Sequence, residues 1–131
     1  MRISAIIVSG GSTPDYHDGN SVEILRSDGT PWCSLPELPF DSQGISSHTQ
    51  SGLIACGGSS NNRQSCVTFK DGVWTTSHSL REDRWEHSAW ASPAGVVLLG
   101  GANSDPSTSS ELLSDSTGTS SVYFPLKYAV T

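Results

Sequence analysis

The chain has 131 residues, of which 34% are hydrophobic, and a formal net charge of −6 at pH 7. This length suits about one domain. Nucleic-acid backbones and anionic membrane surfaces attract clustered Lys and Arg, whereas the seven basic residues here are scattered. We therefore expect neither nucleic acid nor a membrane as a partner.

The first element is an apolar run that ends in paired glycines. Residues 5–9 lead into Gly10 and Gly11, and a β-prone run at 21–25 and then Trp32 follow. The run before the glycines is apolar at consecutive positions, which favours a strand buried on both faces. Glycines turn sharply because they adopt positive φ without penalty.

The same order of elements occurs twice more along the chain. The second copy comprises residues 52–56, Gly57, Gly58, residues 65–69 and Trp74, and the third comprises residues 95–99, Gly100, Gly101, residues 110–113 and Tyr123 or Phe124. The glycine pairs are 47 and 43 residues apart. This period is typical of the four-stranded blade of a β-propeller. We predict an all-β fold, with the aromatic of each repeat packed between neighbouring blades.

The third repeat resembles the kelch family, whose propellers are similar to the central domain of galactose-oxidase-like proteins. The resemblance rests on Arg84, His87, Gly95, Gly100 and Gly101. It implies that Arg84 and His87 lead into the innermost strand of a blade and hydrogen-bond loop backbone. We therefore interpret them as parts of the scaffold.

The other two repeats match the kelch pattern less fully. His48 takes the place of the family's His with a shorter connection to Gly52, and no Arg stands three residues before it. The first repeat has no room for an innermost strand before Arg2. A WD-type propeller has a similar period, but no Trp-Asp dipeptide closes a strand here.

The repeats predict a partial kelch-type propeller over residues 1–131. Blade I covers 2–40 without its innermost strand, blade II covers 44–80, blade III covers 84–125, and 126–131 begins another blade. A closed ring needs about four to eight blades. Three explanations stay open: a fragment of a longer protein, self-association through open blade edges, or an open curved stack.

Two cysteines flank the turn between the second and third strands of blade II. In a symmetric hairpin Cys56 and Cys66 face each other, and a disulfide is geometrically allowed. The alternative is two small buried thiols. A bridge places the protein in an extracellular, oxidising compartment, and reduced thiols place it in the cytoplasm.

Loops provide the candidate contacts with a partner. Asp15, Tyr16 and His17 lie in a long polar turn, and Trp85 lies in the connection between blades II and III. Propellers bind through such loops because the strands hold the scaffold. His17 and His78 are expected to lie in polar turns and to be solvated. No catalytic, cofactor or metal-binding motif occurs, so we predict none of these functions.

Two functions are consistent with these features. The first is a protein–protein interaction scaffold built from a kelch-type propeller segment. The alternative is a segment of an extracellular galactose-oxidase-like or glycan-binding propeller, for which a glycan is the partner. The state of the two cysteines discriminates between them.

Overall fold

A computed structural model describes most of the chain. The described residues are 5–9, 19–30, 33–40, 45–49, 52–58, 63–102, 107–114 and 120–128. Gly10, Gly11, Asp15, Tyr16, His17 and Trp32, which the sequence singles out, lie outside these ranges. None of the described residues forms a helix with the length and apolarity to cross a bilayer.

The described residues form eleven strands in three antiparallel sheets, and sequential strands are neighbours in each sheet. The first sheet contains β1 (Ala5–Ser9), β2 (Val22–Arg26) and β3 (Cys33–Leu35). The second contains β4 (Ile45–Thr49), β5 (Gly52–Cys56), β6 (Ser65–Lys70) and β7 (Val73–Ser79). The third contains β8 (Ser88–Ser92), β9 (Gly95–Leu99), β10 (Ser110–Leu113) and β11 (Ser120–Val122). The prediction of an all-β fold is confirmed.

The register of the second sheet follows from its turns. Asp71 and Gly72 join β6 to β7, and both have positive φ, 52° and 86°. Two consecutive residues of this kind make the tight hairpin that matches the right-handed twist of paired strands. The hairpin pairs Lys70 with Val73 and Phe69 with Trp74.

The first and second sheets pack face to face. Val22 lies in the first sheet, and Leu38 lies in the segment that follows it. Both are almost fully buried against Ala55 and Val67 of the second sheet. Trp74 packs on the same cluster, and its indole N–H donates to the Pro36 carbonyl at 2.8 Å. The aromatic of the second repeat therefore lies between two sheets, as its sequence position predicts.

The opposite face of the second sheet packs on the third sheet. Ile54, Cys56 and Cys66 alternate along their strands with the residues that face the first sheet, and they are buried against Val96 and Leu98. The first strands of these two sheets also approach one another, since β4 lies beside β8. The second sheet is thus covered on both faces, which explains why residues 53–56 are apolar at every position.

A leucine follows the last strand of every sheet at an equivalent place. The backbone N–H groups of Leu38, Leu80 and Leu126 donate to the carbonyls of Asn20, Gln64 and Thr108, respectively, at 2.8, 2.7 and 2.7 Å. Each bond ties the end of one sheet to the residues just before its penultimate strand. Leu38 and Leu80 are 2% and 4% exposed because the next sheet covers them, whereas Leu126 is only half-buried. Residues 126–128 are not in a strand, and 129–131 lie outside the described residues.

Candidate functional site

The connection between the second and third sheets passes between two glycine turns. A Cβ atom at Gly57 would lie 2.1 Å from the Arg84 carbonyl oxygen, and one at Gly101 would lie 2.7 Å from the Trp85 carbonyl oxygen. Both glycines also have positive φ, 69° and 89°. The chain needs glycine at these two positions because the connecting backbone approaches too closely for any side chain.

Hydrogen bonds hold this connection to both sheets. The Arg84 N–H donates to the Arg63 carbonyl of the second sheet at 3.0 Å. Trp85 and Ala102 exchange two backbone hydrogen bonds of 3.2 and 2.9 Å on the third sheet. Asp83 accepts a 2.7 Å hydrogen bond from the Gln64 side chain. The residues that join the sheets are therefore anchored on both sides.

Arg84 is the centre of a buried polar network. Its Nη2 donates to Glu111 Oε1 at 2.9 Å and to Ser109 Oγ at 2.7 Å, and its Nη1 donates to the Gly100 carbonyl. The side chains of Arg84 and Glu111 are 1% and 2% exposed. A charge removed from water to this extent is stable only when it is paired and hydrogen-bonded.

Glu111 completes the network on β10. Its Oε2 accepts hydrogen bonds from the Arg81 backbone N–H at 2.8 Å and from the Ser120 hydroxyl. Burial by itself raises the pKa of the carboxyl group. The hydrogen bonds from Ser120, Arg81 and Arg84, with the Arg84 charge, outweigh burial, so this pKa lies below its ordinary value of 4.5. Glu111 is therefore an ionised carboxylate inside the protein.

His87 is buried beside this network without sharing its hydrogen bonds. It is 1% exposed, and neither ring nitrogen has a hydrogen-bond partner. The expectation that His87 hydrogen-bonds loop backbone is therefore wrong, because the ring is wedged between the glycine turns. Its Cε1 lies 3.1 Å from the place of a Cβ on Gly57. Burial, reinforced by the charge of Arg84, lowers the pKa of His87 to about 4.

Trp85, which the sequence suggested as a contact for a partner, makes contacts within the chain. It is half-buried, and the guanidinium carbon of Arg63 lies 4.7 Å from the centre of its ring. This cation–π contact and the bridge to Ala102 give Trp85 intramolecular partners on both neighbouring sheets.

Cys56 and Cys66 stand directly opposite each other on β5 and β6, with Cα atoms 4.1 Å apart, and their sulfurs form a disulfide. Both residues are buried between the second and third sheets. The bridge closes a short loop across the glycine turn, which holds the two central strands of the second sheet together.

His78 differs from the sequence expectation that it is solvated. It lies on β7, half-buried, and its Nε2 is 2.8 Å from the Ser114 carbonyl oxygen. Because Ser114 follows β10, this hydrogen bond joins the second sheet to the third. The prediction was wrong because it took the residue for part of a turn, whereas β7 extends through Ser79.

The network includes residues that sequence reasoning missed. Glu111, Ser109 and Ser120 were not singled out, although they are the partners of Arg84 and of the connection. A signal was present at Glu111, which carries a charge within the strand run Ser-Glu-Leu-Leu at a position paired with Leu98. A charged residue at a core-facing strand position requires a buried partner of opposite charge.

The arrangement can lock the two sheets together, because Arg84 and Glu111 are paired and almost fully buried. The described residues contain no group of three His, Cys, Asp or Glu side chains placed to hold a metal ion. No family model matches the sequence, and no curated protein matches it. The site is thus an anchored connection between two stacked β-sheets.

Proposed function

We propose that this chain is a segment of a kelch-type β-propeller that serves as a protein–protein interaction scaffold. The observation that carries the proposal is the repetition of one plan. Three antiparallel sheets stack in chain order, and a leucine after the last strand of each is bonded to the same place. In a propeller, blades are stacked in this way around an axis.

The position of the innermost strands supports the same architecture. Between the second and third sheets β4 lies beside β8, as expected when sheets radiate from a common axis. The polar residues that carry the kelch resemblance are used inside the scaffold, since Arg84 is buried and paired with Glu111. Binding is then left to loops, which tolerate variation where strands do not.

The segment with Asp15, Tyr16 and His17, which the sequence predicts to be a long polar turn and which lies outside the described residues, is the one to test. Photo-crosslinking from position 16 in the full chain, in an extract of its native source, should give one dominant protein adduct. The same crosslinker at Val73, an exposed residue of the β6–β7 hairpin, is the control. Equal adducts from both positions, or none from position 16, would contradict a protein-binding role for this turn.

A second candidate function is a segment of an extracellular galactose-oxidase-like or glycan-binding propeller. The disulfide between Cys56 and Cys66 favours it, because such bridges persist in oxidising compartments. Mass spectrometry of non-reduced peptides from native material should then recover the bridged pair, and the chain should bind glycans on an array. Two reduced thiols in native material would remove this candidate.

A further inference from the structure

The open face of the third sheet has the same design as faces that are buried elsewhere in the molecule. By strand alternation, Val97, Leu99, Leu112 and Trp90 lie on the side of the third sheet that faces away from the second. We call these residues, with Leu126, the open face. Val97 at its centre is buried, but Leu99, Leu112 and Leu126 are only half-buried, and Trp90 is 52% exposed.

The equivalent face of the second sheet shows what covers such a surface. Register places Cys56 where Leu99 stands, and the backbone bond of Leu80 matches that of Leu126. Cys56 and Leu80 are 1% and 4% exposed because the third sheet packs on them. The open face therefore has the form of an interface with one more sheet of the same kind.

The first sheet forms the other end of the stack of sheets. Val22 faces the second sheet, so Glu23, the next residue of β2, and its cross-strand neighbour Ser34 lie on the opposite side. We call these two residues the outer face, and both are exposed. Glu23 pairs with Val8 on β1 as Glu111 pairs with Leu98 on β9, so the two glutamates take equivalent register positions.

A basic residue stands in the matching place on the open face. Lys127 follows Leu126 as Arg81 follows Leu80, and the Arg81 N–H donates to Glu111 at 2.8 Å. In a contact that repeats this geometry, the Lys127 N–H and the charge of its side chain meet Glu23. Placing an exposed cation against an exposed carboxylate fixes the register of an apolar contact.

We propose that the open face binds the outer face of a second copy of this chain, so that copies associate head to tail. Each copy carries one face of each kind. The new contact follows the plan of the internal contact between the second and third sheets, although the described residues of the first sheet include no counterpart of β8. Such a heterologous contact continues until it closes a ring or extends as a filament. The association depends only on the stacking of the sheets, whatever partner the loops bind.

Sedimentation velocity of the full chain over a range of concentrations tests the proposal. Species larger than a dimer should form as the concentration rises. Trp90→Lys should weaken the association roughly tenfold or more, since it places an unpaired charge in the apolar contact. Val73→Lys is the matched control, because Val73 is equally exposed at 55% but lies on the β6–β7 hairpin. Its sedimentation should equal that of the unmodified chain.

Mixing two blocked variants tests the head-to-tail direction. Ser34→Lys blocks only the outer face. At a concentration at which the unmodified chain associates but the weakened variants do not, Ser34→Lys and Trp90→Lys should each be monomeric alone and form a dimer, and nothing larger, when mixed. Folding is verified by circular dichroism, and both sites are exposed. A monomer at all concentrations overturns the proposal. So does a Ser34→Lys variant that assembles normally, which would indicate contact between two open faces.

Discussion

The guanidinium group of Arg84 and the carboxylate of Glu111 meet at 2.9 Å, and both side chains are almost fully shielded from water. Arg84 belongs to the connection that enters the third sheet, and Glu111 lies on the third strand of that sheet. The pair therefore links the connection between the second and third sheets to β10. Because both side chains are buried, water cannot take the place of either partner when the other is removed.

Removing one partner of this pair should cost more than removing both. We expect Glu111→Val to lower the free energy of unfolding by about 3 kcal/mol, because the buried Arg84 then keeps only the partly exposed carboxylate of Glu82, 3.6 Å away, as a charged partner. The double variant Arg84→Met with Glu111→Val should lose less than Glu111→Val alone. Val67 occupies the equivalent register position in the second sheet, so an apolar residue suits this place.

Urea denaturation of the single and double variants measures this coupling. Arg26→Met is the control for the loss of an arginine, since Arg26 is exposed, and it should leave stability nearly unchanged. A double variant that is less stable than Glu111→Val would show that the ion pair does not account for the loss.

The buried imidazole of His87 should make stability depend on pH. Its pKa is lowered to about 4 from an ordinary value of 6.5, so between these values the unfolded chain binds a proton that the folded chain does not. Stability should therefore fall as the pH is lowered from 6.5 to 4, by about 3 kcal/mol from this residue. Above pH 6.5 the residue is neutral in both states and has no effect.

Stability curves of the unmodified chain and of His87→Leu test this dependence. The variant should show a weaker fall in stability between pH 6.5 and 4, equivalent to one proton. Glu111 acts in a lower range, because its lowered pKa contributes stability that is present above 4.5 and is lost as the pH falls through the folded value. Identical slopes for both proteins would mean that His87 is solvated.

The disulfide should contribute measurably to stability through the short loop that it closes. Replacing Cys56 and Cys66 together by Ala should lower the free energy of unfolding by about 2–3 kcal/mol. Cys33→Ser is the control, since Cys33 is exposed and lies in the first sheet. Reductant should lower the denaturation midpoint of the unmodified chain but leave that of the double variant unchanged. Equal midpoints for the unmodified chain in both conditions would contradict the contribution of the bridge.

Two glycines with similar backbone angles should respond very differently to substitution. Gly57 has φ 69°, and a Cβ there would lie 2.1 Å from the Arg84 carbonyl oxygen. Gly72 has φ 86° with nothing within 4 Å of its Cβ position. Gly72→Ala should therefore cost only the conformational penalty, about 1–2 kcal/mol. Gly57→Ala should cost about 3 kcal/mol or more, because backbone must also move.

Thermal and urea unfolding of both variants provides the comparison. Both variants pay the cost of positive φ. The difference between their losses of stability therefore measures the cost of the close approach to the Arg84 carbonyl oxygen. If Gly57→Ala and Gly72→Ala lose equal stability, the connection does not pass against the glycine turn as described.

The sequence by itself determined the strands that lead into the glycine pairs, because these depend on local chemistry. Continuous apolar runs such as residues 52–56 and 95–99, each followed by paired glycines, predict buried strands that end in tight turns, and β5 and β9 have these bounds. The position of Trp74 after its hairpin similarly predicted an aromatic packed between sheets.

Only the tertiary structure decided which polar residues meet. Arg84 and Glu111 are 27 residues apart in sequence, and their pairing requires two sheets to stack and a connection to pass between glycine turns. The same stacking leaves His87 without a hydrogen bond and gives His78 one to Ser114. Local patterns cannot specify these contacts, because each depends on the distance between segments that only the packed core brings together. The repeats that open the sequence thus define the sheets, and the packing between sheets defines the site.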